Sequence, residues 1–129
     1  MESQHLSVYI RRSVDAVYDY AANPENLPEW AAGLSSGISL VAGDWVSDSP
    51  MGRVIVEMIE PNTLGVLDHW VTTPEGDAFY NPVRVIEADG GSEIIFTLRR
   101  QPGMSDDAFE ADAISVVTDL TTLKGILEG

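Results

Sequence analysis

Two residue pairs in the middle of the chain carry the chemistry that this sequence can offer. The stretch Leu67-Asp68-His69-Trp70-Val71 and the stretch Phe79-Tyr80-Asn81-Pro82-Val83-Arg84-Val85 flank the turn residues Thr73-Pro74-Glu75-Gly76, a spacing that predicts an antiparallel hairpin. With Thr73 opposite Asp77, His69 faces Asn81, Val71 faces Phe79 and Leu67 faces Val83. These residues then share one apolar face with Val85. His69 in that setting is a general acid or base near neutral pH, and Asn81 can orient it or donate to a substrate carbonyl. The same pair can equally hydrogen-bond to each other as ordinary core polar groups. The other face carries Asp68, Trp70, Tyr80, Pro82 and Arg84. Asp68 and Arg84 read as an ion pair there, and Trp70 with Tyr80 as a cross-strand aromatic pair. A slip of one residue exchanges the faces. Asp68 and Arg84 would then enter the interior, with Arg84 able to anchor a carboxylate or phenolate.

Other chemistries lack their residues. The chain has no cysteine and only two histidines, His5 and His69, so no metal site and no thiol nucleophile is expected. Gly90-Gly91 is not followed by the Lys-Ser/Thr of a phosphate loop, and no Gly-x-Ser-x-Gly elbow is present. No cofactor is expected. A net charge of −14 over 129 residues argues against nucleic acid and anionic membrane as partners. No apolar run approaches the roughly 20 residues of a membrane span. The start of the chain lacks a signal-peptide pattern, and a cytoplasmic location is the expectation.

The elements that must position these groups are legible from period and punctuation. Leu6, Val8 and Ile10 alternate as a first strand. Ser13 caps a short helix carrying Val14, Val17, Tyr18 and Ala21. Asn23 and Pro24 open a second, with Leu27 and Trp30 on its apolar side and Gly33 at its end. From Gly37 to Arg100 the texture is strand and turn. The strands are Ile38 to Val41, Trp45 to Ser47, Val54 to Met58, Leu64 to Thr72, Ala78 to Ala88 and Ser92 to Arg99, with a tight hairpin at Asp89-Gly90-Gly91. The last quarter, Ser105 to Glu128, reads as one helix about 36 Å long. Phe109, Ala113, Val116, Leu120, Leu123 and Leu127 fall on one face. Asp107, Glu110, Asp112, Asp119 and Lys124 suit a wet face. Ser105 is the cap, with Asp106 and Asp107 at the positive end of the helix dipole.

This order, and the residues Val8-Tyr9-Ile10-Arg11-Arg12-Ser13-Val14-Asp15-Ala16-Val17-Tyr18 followed by Asn23-Pro24-Glu25-Asn26-Leu27-Pro28-Glu29-Trp30, resemble the SRPBCC superfamily. That superfamily groups START lipid-transfer domains, polyketide cyclases/dehydrases and birch-pollen-allergen-like proteins. The segments Val66 to Val71 and Tyr80 to Val85 are similar to small bacterial members described as polyketide cyclase-like. The resemblance covers nearly all of residues 1–129 and implies one α+β domain of the helix-grip fold. In that fold a curved antiparallel sheet, here of about six to seven strands, wraps on the long C-terminal helix, with two short helices after strand 1.

The expected function is binding of a small, largely hydrophobic or aromatic molecule between sheet and helix. Trp30, Met58, Phe79, Arg84, Phe96, Phe109 and Val116 are the candidate ligand-binding residues, and His69 and Asn81 the candidate catalytic pair. One alternative is a cofactor-free polyketide cyclase or dehydratase using His69 as acid/base. Another is an interaction module with a filled core that forms a homodimer through Trp70 and Tyr80.

Overall fold

The computed structural model describes residues 2–129. Its elements follow the sequence reading, except that the strand expected from Leu64 to Thr72 begins only at His69, with Val66 as an isolated bridge before it. β1 is Ser3–Ile10, α1 Val14–Ala21 and α2 Leu27–Trp30, with single 3-10 turns at Pro24–Asn26 and Ala32–Leu34 on either side of α2. The strands β2 Ser39–Val41, β3 Asp44–Ser49, β4 Gly52–Met58, β5 His69–Thr72, β6 Ala78–Asn81, β7 Val83–Ala88 and β8 Gly91–Arg99 precede α3, Asp106–Glu128. The expected caps are in place: Ser13 accepts from the amide of Ala16, Asn23 from Glu25 and Ser105 from Ala108.

Among the described residues eight strands form in place of six or seven, and the expected single sheet is two antiparallel ones, of three strands in the order β1-β8-β7 and of five in the order β2-β3-β4-β5-β6. The extra count comes from Pro82. A proline has no N–H to give to a ladder, and the expected long strand Ala78 to Ala88 divides there into β6 and β7. The two halves stay connected. Val66 bridges Arg84, the Leu67 amide donates to the Val83 carbonyl at 2.8 Å, and the Val85 amide donates to the Gly65 carbonyl at 2.9 Å. The β7–β8 hairpin turns on Asp89 and Gly90, both with positive φ (46° and 76°), the backbone that a two-residue hairpin of matching twist requires.

Two apolar layers meet inside. Ile10, Val85 and Ile94 from the sheet and Val17 from α1 pack with Leu120, Leu123 and Leu127 of α3. A second cluster, Leu27, Val54 and Val56, joins α2 to β4, and a third, Leu98, Phe109 and Ala113, seals the start of α3. Between the first and second clusters the curved sheet and the helix do not close on each other.

Candidate functional site

The gap is a cavity of about 350 Å³. Its floor is Val54 and Val56 of β4, His69 and Val71 of β5, Asn81 of β6 and Phe96 of β8; its roof is Val116, Asp119 and Leu120 of α3. Leu27, Trp30 and the Ala31–Leu34 turn form one lip, and Ser49-Pro50-Met51 at the β3–β4 turn the other. Strand alternation explains the floor. His69 pairs with Asn81 and Val71 with Phe79, so the preferred register is the one adopted, and every second residue of β4 and β5 points inward.

His69 is tied at both nitrogens. Its Nδ1 lies 3.2 Å from the Leu67 carbonyl and its Nε2 3.3 Å from the Asn81 side-chain nitrogen. Only the tautomer with the proton on Nδ1 satisfies both contacts: Nδ1–H donates to the carbonyl, and Nε2 accepts from the amide. Burial pushes the imidazole below its ordinary value of 6.5, partly opposed by the Leu67 carbonyl and the Asp68 carboxylate. The ring is therefore neutral at neutral pH, with its basic nitrogen turned toward Asn81. Phe96 meets it edge-on, with ring centres 6.3 Å apart. Asn81 keeps its amide oxygen and a second N–H without a side-chain partner among the described residues. The Trp30 indole N–H in the cavity wall is buried with no hydrogen-bond partner among the described residues.

Five of the nine candidates, His69, Asn81, Trp30, Phe96 and Val116, line this cavity, and four do not. Arg84 is on the outer face, where its guanidinium lies 3.1 Å from the buried Asp68 carboxylate. The slipped register that would have turned it into the cavity is not the one formed. Phe109 shares a helix face with Val116 but sits two turns earlier, beyond the cavity, packed with Leu98 and Ala113. It floors a separate open groove of about 610 Å³ beside the start of β1, whose Arg100 is already paired with Glu2 and Asp106. Met58 packs against the α2–β4 cluster outside the lining. Phe79 lies on the inner face by register but nearer the hairpin tip, clear of the cavity.

Of the lining residues outside the nine candidates, Asp119 is the charged one. Asp119, expected on the wet face, is half-buried at the roof and accepts from the Ala32 amide at 3.2 Å. Burial raises its carboxyl above the ordinary range, with the Ala32 hydrogen bond lowering it in part. Its place three residues after Val116, on the same side of the helix, was the available signal.

On the outer face, Trp70 and Tyr80 pack at 4.6 Å between ring centres, with Trp70 38% exposed. The filled interior expected of an interaction module is not what forms; the space under α3 is open. Among the described residues no three His, Asp or Glu side chains gather as a metal site, and no helix is long and apolar enough to cross a membrane.

Known structures share this architecture. The Aha1 dimer from Colwellia psychrerythraea matches with a TM-score of 0.77 at 15% identity, over 99% of this chain and 97% of that one. Ara h 8.0201 matches with a TM-score of 0.72 at 12% identity, over 98% and 97%. DynU16, from the dynemicin biosynthetic locus, matches with 0.73 at 15% identity, over 99% of this chain and 48% of that one. The fold is the helix-grip. At these identities the likeness is one of fold alone. No protein-family model matches the sequence, and no curated protein does.

Proposed function

We propose that this chain binds one small, largely apolar molecule in the cavity between the sheet and α3, with the His69–Asn81 pair fixing its orientation. The cavity itself carries the reading. It has aliphatic and aromatic walls, a volume of about 350 Å³ and a few convergent polar groups, the makeup of small-molecule sites. Its floor presents an Asn81 amide with hydrogen-bonding capacity to spare beside a neutral imidazole.

Native mass spectrometry with a panel of apolar, aromatic and polyketide-like compounds tests the reading. One added mass per chain is expected, lost in a Val116→Trp variant that fills the space under α3. A chain that takes up none of them in either form overturns it.

The state of His69 favours a second reading, a cofactor-free cyclase or dehydratase. A neutral Nε2 lone pair inside an apolar cavity can remove a proton next to a carbonyl, and the Asn81 N–H beside it can stabilise the enolate oxygen. Substrate must displace the existing Asn81–His69 hydrogen bond to do so. His69→Gln separates the two readings: a catalyst turns substrate over and loses that turnover while keeping its ligand, whereas a carrier shows no turnover in either form.

A further inference from the structure

The polar groups of the cavity are unbalanced, and the imbalance bears on what it can hold. His69 and Asn81 reach in from the sheet, Asp119 reaches in from the helix, and the Trp30 indole N–H in the wall is a neutral donor. Among the described residues no lysine or arginine lines the cavity; Arg84, the nearest candidate in sequence terms, is spent on Asp68 at the outer face. Ser49 at the lip is also spent, donating to the Gly52 carbonyl and accepting from the Met51 amide. Asp119 is not. Among the described residues its one hydrogen-bond partner is the Ala32 amide, at 3.2 Å on Oδ1, and a carboxylate has about four lone-pair positions to fill. Its raised carboxyl is the behaviour of an acid withdrawn from water and short of donors.

We propose that Asp119 receives a hydrogen-bond donor of the bound molecule, a hydroxyl or an amine, and that the cavity therefore selects donor-bearing apolar molecules over carboxylates of the same shape. The proposal rests on the reading of the cavity as a ligand site and adds the class of ligand. A carboxylate head meets no cation inside and faces the Asp119 charge across a space of low dielectric. A hydroxyl or amine head completes Asp119 from the helix side while the apolar body lies on Val54, Val56 and Phe96.

Three probes on one skeleton test it: 2-naphthol, 2-methoxynaphthalene and 2-naphthoate, titrated calorimetrically into the wild-type chain and into Asp119→Asn and Asp119→Leu. The asparagine variant keeps an oxygen for the Ala32 amide, so it separates ligand recognition from the structural bond. Wild type is expected to bind 2-naphthol about tenfold or more tighter than the methyl ether, the worth of one hydrogen bond to a charged group. It is expected to bind 2-naphthoate weakest. Asp119→Leu brings 2-naphthol down to the level of the methyl ether, and Asp119→Asn admits 2-naphthoate. Equal affinities in wild type, or a preference that survives both substitutions, overturn the assignment to Asp119 and leave the ligand site standing. Silence toward all three probes overturns both.

Discussion

Asp68 and His69 are adjacent in the chain and end on opposite faces of the sheet. The Asp68 carboxylate, 2% exposed, lies on the outer side 3.1 Å from Arg84. The His69 ring lies on the inner side, 3.3 Å from Asn81. A shift of one residue in the β5–β6 pairing would exchange the two, turning an apolar cavity with one imidazole into a charged one. Asp68 helps hold the register. Its carboxylate accepts from the Val83 amide at 2.9 Å, from Arg84 at two nitrogens and from the Tyr80 hydroxyl, at the point where Pro82 interrupts the strand.

Replacing Asp68 should therefore cost more than a surface ion pair does. Burial alone would raise this carboxyl, but the hydrogen bonds from Arg84, Tyr80 and Val83 outweigh it and hold the group below 3.8. Asp68→Asn is expected to lose about 3 kcal/mol, since it uncouples Arg84 and leaves buried partners unmatched. Arg84→Met should cost less, because the arginine side chain is 52% exposed and the carboxylate keeps Val83 and Tyr80. Urea midpoints at unchanged slope read both. An Asp68→Asn loss no greater than that of Arg84→Met would sink the argument.

His69 makes stability depend on pH in a set direction. Its folded-state pKa lies below the ordinary 6.5, so between the two values the unfolded chain binds the proton and the folded chain does not. Stability from this group is complete above about 6.5 and falls as pH drops from there toward the folded value. His69→Gln should flatten that part of the profile, seen as the difference between wild-type and variant midpoints from pH 7.5 to 5. A difference that stays constant across that range would mean the ring is no harder to protonate in the fold than out of it.

Gly65 lies where the two halves of the sheet join, its carbonyl accepting from the Val85 amide at 2.9 Å. Its φ is +72°, and a Cβ there would stand 2.3 Å from the Val85 carbonyl oxygen, which accepts no such intrusion without moving backbone. Gly65→Ala is expected to cost about 3 kcal/mol or more through strain and lost pairing. Gly76, with a similar φ of +91° and open space around it, should cost about 1 kcal/mol for the same change. Equal losses would show that the contact with Val85 is relieved freely.

The face of α3 divides into a part that holds the fold and a part that borders the cavity. Leu123 is fully buried, and Leu123→Ala should cost about 3 to 5 kcal/mol, from lost burial and the void left behind. Val116 is half-buried, packed on one side against the first and third clusters and open to the cavity on the other, and Val116→Ala should cost about 1 kcal/mol, because only part of the side chain is withdrawn from water. Thermal denaturation separates them. Similar losses at both positions would place Val116 in the packed core.

The sequence by itself determined the elements, the faces and one register. The four-and-three spacing from Phe109 to Leu127 and the cap at Ser105 define α3 because helix geometry is local. The alternation on either side of Thr73-Pro74-Glu75-Gly76 places His69 opposite Asn81, because only that pairing gathers the aliphatic side chains on one side. Periodicity assigns a residue to a face without saying what stands across from it, and that the tertiary structure decided. Phe109 and Val116 share one stripe, yet Phe109 is closed in by Leu98 and Ala113 while Val116, two turns on, also borders the cavity. Asp119 reads as solvent-facing from its charge, and becomes a cavity group because the turn after α2 folds over it and offers the Ala32 amide. Curvature of the sheet and the docking of α2 are sums over many distant contacts, and no short window of sequence contains them.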